Sequence, residues 1–400
     1  MSRARRFARW GVSLAALIAA GGYVVARAGK PWDFETYYFA GAAFRAGLNP
    51  YSLENLTRVA HRTVTLPFLY PPATLALFAP MSLLSKAVAA GAWLGFKGVL
   101  AAFLVWLWRR EFLRGSDPSR LVVVLALGFD RSVAWDLRTG NVALLEIAIL
   151  WIALAAFVRG RDALAGYLIA LGSIFKLLPV GLLGVLAAAP RPRPVRAALI
   201  AGSAAFLAVA VSLPPGLAAE WRAAIVHASP NARLAIEVNP SALGLSDWLF
   251  GALGAPAASV PFLAMGAYLA FAAAILLLSL EPLRRARASS TRVETAMIAV
   301  LLWLLLSPRL MVYSFAMAIA PVLYAIETRV RTEAWRWLAA LLVCAQAAIR
   351  LAPGPEPPML GAASFAILLG AWALLRQPPS FPRAASSQGW FAHSPSPVPR

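Results

Sequence analysis

Apolar runs recur along this chain at lengths that suit a bilayer better than a water-soluble core. They lie near residues 10–26, 86–108, 119–135, 141–158, 162–189, 195–213, 257–280, 294–326, 335–351 and 358–375. A helix needs about 20 apolar residues to cross the hydrocarbon layer, so the two longest runs each have room for two crossings. Both carry a break, at Lys176 and Pro179 in the first and at Ser307-Pro308-Arg309 in the second. Divided there, the pattern predicts an all-α, polytopic membrane bundle of about twelve helices within residues 1–376. The piece 73–84 follows Pro71-Pro72 and is too short to cross, so it reads as re-entrant or interfacial.

The polar intervals are as informative as the apolar ones. The first external loop, 27–85, is long, and inside it Phe34, Tyr37, Tyr38, Ala42 and Phe44 fall at near-helical spacing. Asp33 stands where an N-cap would, and residues 47–50 (GLNP) end the pattern with turn chemistry. An amphipathic helix lying on the outer membrane surface is expected there. The outer segment 214–256 is its counterpart, with Glu220, His227, Asn231, Asn239 and Asp247. Residues 377–400 are rich in Pro and Ser and read as a disordered cytoplasmic tail. Residues 1–28 have the layout of a signal peptide, but with so many spans behind them they are expected to remain as the first helix.

Composition supports the membrane class. The chain has 400 residues, 60% hydrophobic and only 14% charged, where a soluble domain carries roughly a quarter charged. The net charge of +20 does not make it a nucleic-acid binder, because the basic residues come in short bursts between apolar runs. Those bursts sort by side. With the N-terminus inside, Arg3, Arg5, Arg6 and Arg9, then Arg109 to Arg120, Arg159, Arg161, Arg191 to Arg196, Arg284 to Arg292, Arg329 to Arg336 and Arg376 all fall in cytoplasmic segments. This positive-inside pattern puts both termini in the cytoplasm and the loop carrying Asp33 outside. Cys344 is the only cysteine, and His61, His227 and His393 are scattered, so no disulfide, metal site or cofactor is expected.

Charged groups near membrane depth are costly and tend to face a cavity or one another. Glu146, Lys176, Arg309 and the group Asp130, Arg131, Asp136 and Arg138 qualify. In the topology above, Lys176, Arg309 and the turn from Asp136 to Asn141 converge on the same outer face as Asp33. A carboxylate beside cations at a membrane surface suits transfer of a sugar from a polyprenyl phosphate. The cations stabilise the departing phosphate, and the carboxylate takes the proton of the acceptor hydroxyl. The chain has no D-x-D motif; Asp33-Phe34-Glu35 is its nearest relative.

These residues also carry a family resemblance. Residues 33–51 (DFETYYFAGAAFRAGLNPY) and 68–80 (FLYPPATLALFAP) resemble the front of glycosyltransferase family 87, of the GT-C superfamily. The likeness continues at 140–146 (GNVALLE), 166–179 (GYLIALGSIFKLLP), 239–243 (NPSAL) and 307–313 (SPRLMVY). It implies a GT-C-like fold and a metal-independent, inverting mannosyltransferase that uses a polyprenyl-phosphate-sugar donor and a glycan or glycolipid acceptor. It further implies Asp33 as base at the outer boundary, with Lys176 and Arg309 near the donor phosphate. Glu35, Tyr37, Tyr38, Asn141, Asn239 and Tyr313 are candidate pocket residues. The family pattern often has Gly-Gln where this chain has Gly140-Asn141, and Trp and His where Met311 and Tyr313 stand, so sugar and acceptor are open to change.

Plainer readings stand beside these. Asp33 as a helix cap, Glu35 as a solvated residue, Trp32, Tyr37 and Tyr38 as an aromatic belt, and Lys176 as a snorkelling lysine each need no catalysis. His61 and His227 read as surface residues. The broken helices also fit a secondary transporter or lipid flippase, although the two halves of the chain show no repeat. A third reading is a scaffold that keeps the fold without activity.

Overall fold

The computed structural model describes residues 3–26, 31–173, 175, 181–183, 195–198, 200–202, 204, 216–228, 239–288, 292–349 and 359–378. Lys176, the break at Pro179, Asn231 and the tail from 379 onward lie outside the described residues. Among those described the regular structure is entirely helical. In chain order the helices are α1 (Arg3–Ala26), α2 (Trp32–Arg45), α3 (Leu53–Ala60), α4 (Leu75–Met81), α5 (Lys86–Glu111), α6 (Pro118–Thr139), α7 (Ala143–Val158) and α8 (Asp162–Ser173). They continue as α9 (Leu217–Ala228), α10 (Ala242–Ala252), α11 (Val260–Ala288), α12 (Arg292–Leu306), α13 (Ile319–Arg329), α14 (Glu333–Ile349) and α15 (Met359–Arg376). Short 3-10 turns at Pro72–Thr74 and Val312–Ala318 precede α4 and α13.

Local chemistry explains the boundaries. Ser85 caps α5 through its hydroxyl, which accepts from the Val88 amide. Asp117 caps α6, with Pro118 in the first helical turn where its missing N–H costs nothing. Gly140 ends α6 in the left-handed region at φ 71°. The run 294–326 breaks where expected: α12 stops at Leu306, before Pro308 removes a backbone donor, and the chain resumes as a 3-10 turn.

The exterior of the bundle is apolar on several helices at once. Val88, Val99 and Trp106 on α5, Phe262, Leu269 and Leu277 on α11, and Trp335 and Leu342 on α14 are all exposed. Soluble proteins rarely leave such faces to water, and lipid is the solvent that removes the cost. Two described helices, Lys86–Glu111 and the Val260–Ala286 part of α11, are long and apolar enough to cross a membrane by themselves.

Polar contacts sort to opposite ends of the bundle. At one end Glu111 pairs with Arg159, Asp162 with Arg292, Glu294 with Arg329, and Arg120 with Glu327 and Glu333. All of these lie in segments that the charge pattern puts on one side. The other end gathers 31–85, the α6–α7 turn, α9, and the contact of residues 239–241 with Pro308 and Leu310. Consecutive long helices thus run back and forth between two polar ends, as membrane-crossing helices must.

Two cores result. The larger fills the bundle around Trp108, Trp151, Leu302 and Phe315. The smaller forms a cap from the first loop, around Phe34, Tyr37, Leu56, Phe68, Leu75 and Phe78, closed by Trp93 of α5.

The cap corrects two expectations. Helix α2 does not lie as an amphipath on a surface. Phe34, Thr36, Tyr37, Phe39, Ala40, Gly41 and Ala43 are all buried, because α3 and α4 fold back over it. A β-carbon on Gly41 would come within 2.5 Å of the Phe78 carbonyl oxygen, so the helices touch backbone to backbone only because that residue is glycine. Nor does Asp33 cap α2. The N-cap is Pro31, no side chain caps the helix, and Asp33 falls inside its first turn. The piece 73–84 does stop short of a span, with α4 only seven residues long and packed on α2.

Candidate active site at the junction of cap and bundle

The first turn of α2 meets the turn between α6 and α7. Close approach is possible because residue 140 is glycine: a β-carbon there would lie 2.6 Å from the Phe34 β-carbon. The Trp93 indole N–H donates to the Gly140 carbonyl at 2.8 Å and ties the turn to α5. This brings Asp33 to Asn141, whose Nδ2 donates to the Asp33 carboxylate at 2.9 Å.

Asn141 is not free to turn away. Its Oδ1 accepts the backbone N–H of Ala143 at 2.9 Å, at the start of α7. With the oxygen committed to a donor, the amide nitrogen must face Asp33. The same nitrogen lies 3.4 Å from the Tyr70 hydroxyl, and the Tyr37 hydroxyl donates to Tyr70 at 2.8 Å. Burial first, and then the neighbouring Tyr70, Asp33 and Tyr313, push the Tyr37 phenol well above its usual range. Tyr37 is therefore a neutral donor rather than a base. Tyr313, on the 3-10 turn before α13, comes near enough to Tyr37 to act on it electrostatically. Asp33, Tyr37, Asn141 and Tyr313 thus converge, as members of one cluster built from three separate segments.

The remaining candidates separate from it. Glu35 points the other way and forms ion pairs with Arg62 and, at 2.9 Å, with Lys86. Burial by itself would raise its carboxyl, but the hydrogen bonds and charges of Lys86 and Arg62 outweigh burial and hold it below the usual 4.5. Glu35 therefore clamps α2 to the start of α5. The Tyr38 hydroxyl donates to the Leu84 carbonyl at 2.9 Å, another cap contact. His61 ends α3 in the left-handed region at φ 51° and is exposed, as is His227 on α9.

Asn239 has a distinct job. Its Oδ1 accepts the Leu310 N–H at 2.8 Å and its Nδ2 reaches the Pro308 carbonyl at 3.4 Å. Ser241 adds a 2.7 Å bond to the same carbonyl. These bonds satisfy the backbone of the broken stretch and hold Arg309 between them. Arg309 is exposed and forms no ion pair with any described residue.

The charge group on α6 divides. Asp136 pairs with Lys97 inside the bundle. Arg138 lies over the rings of Trp32 and Trp135, each 4.8 Å away, and donates to the Tyr23 hydroxyl at 2.8 Å. Arg138 thus ties the start of α2 to α6 and α1 through these aromatic rings. Glu146 is buried one turn into α7.

Sequence reasoning did not single out two residues, Tyr70 and Lys97. Tyr70 had only its place before Pro71-Pro72 as a signal. Lys97 had a clearer one, as a lone charge within an apolar run.

Among the described residues no group of three or more His, Cys, Asp or Glu side chains is placed to hold a metal. The model of glycosyltransferase family 87 matches residues 68–308, more than half of the chain. The match includes Tyr70, Lys97, Asn141 and Asn239 but begins after Asp33 and stops one residue before Arg309. No curated protein and no solved structure matches.

Proposed function

This chain belongs to glycosyltransferase family 87, and from that we propose that it transfers a hexose, mannose in the first instance, from a polyprenyl monophosphate to a glycan or glycolipid acceptor. The reaction takes place at the cap end of the bundle, on the outer face of the cell membrane, with both chain termini in the cytoplasm. The full bundle has about twelve spans, of the GT-C type.

The observation that carries this reading is the Asp33–Asn141 contact. Asp33 is the carboxylate of the cluster, while Tyr37 is held neutral and Glu35 is engaged by two cations. Asp33 accepts the proton of the acceptor hydroxyl as its oxygen attacks the sugar C1. The bond from C1 to the phosphate oxygen breaks, and polyprenyl phosphate leaves with that electron pair. Attack and departure on opposite faces invert the anomeric centre, so a β-linked donor gives an α-glycoside.

A dissociating phosphate monoester anion needs positive charge more than a proton. Arg309 and Lys176 are assigned to it. Asn239 supports Arg309 through the backbone. Tyr313 and Tyr37 line the sugar side, and Tyr313 stands where the family often has another residue, which gives the sugar and acceptor room to differ. No metal is required by this scheme.

The test is incubation of the purified protein in lipid nanodiscs with polyprenyl-phosphate mannose and an alkyl α-mannoside. Release of polyprenyl phosphate together with an elongated glycoside is the expected result. Transport of the donor across a sealed vesicle with no new glycosidic bond would instead favour a flippase.

A further inference from the structure

The lysine at position 97 is among the most enclosed side chains of the molecule, at 1% exposure, in the middle of an apolar crossing helix. An ammonium there is expensive unless it is paired and fully bonded. Three of its close contacts lead to one place. Nζ is 2.6 Å from Asp136 Oδ2, 2.5 Å from the Asp136 carbonyl and 2.7 Å from the Asn141 carbonyl. The two carbonyls flank Gly140, so a single charge grips the α6–α7 turn from beneath. Trp93, one helical turn earlier on α5, holds the Gly140 carbonyl between them.

We propose that Lys97 is the positioning residue of the glycosyl-transfer site, acting through Asn141 on Asp33. The proposal rests on the reading of Asp33 as the base. Lys97 acts through the turn it holds, by way of Asp136 and the Asn141 carbonyl. It fixes the Asn141 carbonyl, the Ala143 amide fixes the Asn141 side-chain oxygen, and the nitrogen left over is aimed at Asp33. Rigid support of this kind decides whether a catalytic group sits within a few tenths of an ångström of its working place.

A second consequence concerns depth. Trp93 and Lys97 lie seven and eleven residues from the start of α5, which is roughly 10–16 Å along the helix axis at 1.5 Å per residue. The turn that presents Asn141 is therefore sunk well below the outer end of α5.

The test uses the full chain in nanodiscs with polyprenyl-phosphate mannose and an alkyl α-mannoside. Lys97→Met is expected to lower kcat about 10- to 100-fold while the donor KM stays within about twofold. Lys97→Arg recovers part of the rate. Asn141→Ala combined with Lys97→Met falls no further than Asn141→Ala alone, because both act through one amide. If leaving Asp136 unpaired prevents folding, Lys97→Met with Asp136→Leu removes both charges together, and its kcat must still be low. Hydrogen exchange at residues 139–144 reports the turn independently of turnover, and it must accelerate in both variants. A folded Lys97 variant with the parent kcat, additive losses with Asn141→Ala, or unchanged exchange at the turn overturns the proposal. Wild-type protein that makes no glycoside counts against the transfer reaction, while the exchange data still decide whether Lys97 fixes the turn.

Discussion

Asn141 donates its side-chain amide to the carboxylate of Asp33 across 2.9 Å and 108 residues of sequence. The bond joins the folded first loop to the turn of a helical hairpin in the bundle. It is the point at which a water-side layer and a membrane layer meet, and the chemistry proposed for this chain depends on it.

Replacing Asp33 by Asn keeps the size of the side chain and removes the proton acceptor. Transfer from polyprenyl-phosphate mannose should fall by at least about 10²-fold, with the melting temperature of the purified protein essentially unchanged. An Asp33→Asn enzyme that turns over at the parent rate rules out Asp33 as the base.

Gly140→Ala tests the junction itself. Residue 140 has φ 71°, and its new β-carbon would meet the Phe34 β-carbon at 2.6 Å. The strained backbone alone costs about 1–3 kcal/mol, and Phe34 has to move, carrying Asp33 with it. A lower melting temperature and a lower kcat should appear together. Gly47→Ala, at φ 70° with nothing near its β-carbon, is the control that should cost backbone strain while sparing kcat.

Arg309→Gln should raise the donor KM more than it lowers stability, since the guanidinium is exposed and makes no ion pair with a described residue. Asn239→Ala should do both. It leaves the buried Leu310 amide without its acceptor, which costs about 1–3 kcal/mol, and it loosens the stretch carrying Arg309. Donor titrations alongside thermal melts separate the two patterns.

Glu35 gives a pH signature. Its carboxyl titrates below 4.5 in the folded protein because Lys86 and Arg62 outweigh burial. A lowered carboxylate contributes stability that is present above the unfolded value and is lost as pH falls through the folded one. The difference in melting temperature between the parent and Glu35→Gln should thus be largest near neutral pH and close on acidification below about 4.5. It should also shrink in high salt, because both partners are partly exposed. A gap that widens on acidification contradicts the clamp.

Hydrophobic periodicity marked the long helices, the break before Arg309 and the shortness of 73–84, since each depends only on local composition. Asp33 and Asn141 were both singled out as candidates, but the bond between them was not foreseen. The N-cap assignment for Asp33 was a local rule that tertiary contact overrode: Pro31 begins α2, and the carboxylate faces another helix hairpin. The surface-amphipath reading of α2 failed for a similar reason. Aromatic residues on both sides of a helix look the same whether lipid or other loops cover them.

The sequence by itself determined that this chain is a helical membrane protein with a polar first loop, because the cost of placing charge and bare backbone in lipid is paid residue by residue along the chain. Tertiary structure decided which of the polar groups work together. Asp33, Tyr37, Tyr70, Lys97, Asn141 and Tyr313 come from five stretches of chain, and only packing of the cap on the bundle puts them in one place. Hydrogen bonds act over about 3 Å, a distance that spacing along a sequence does not encode once a chain has folded back on itself.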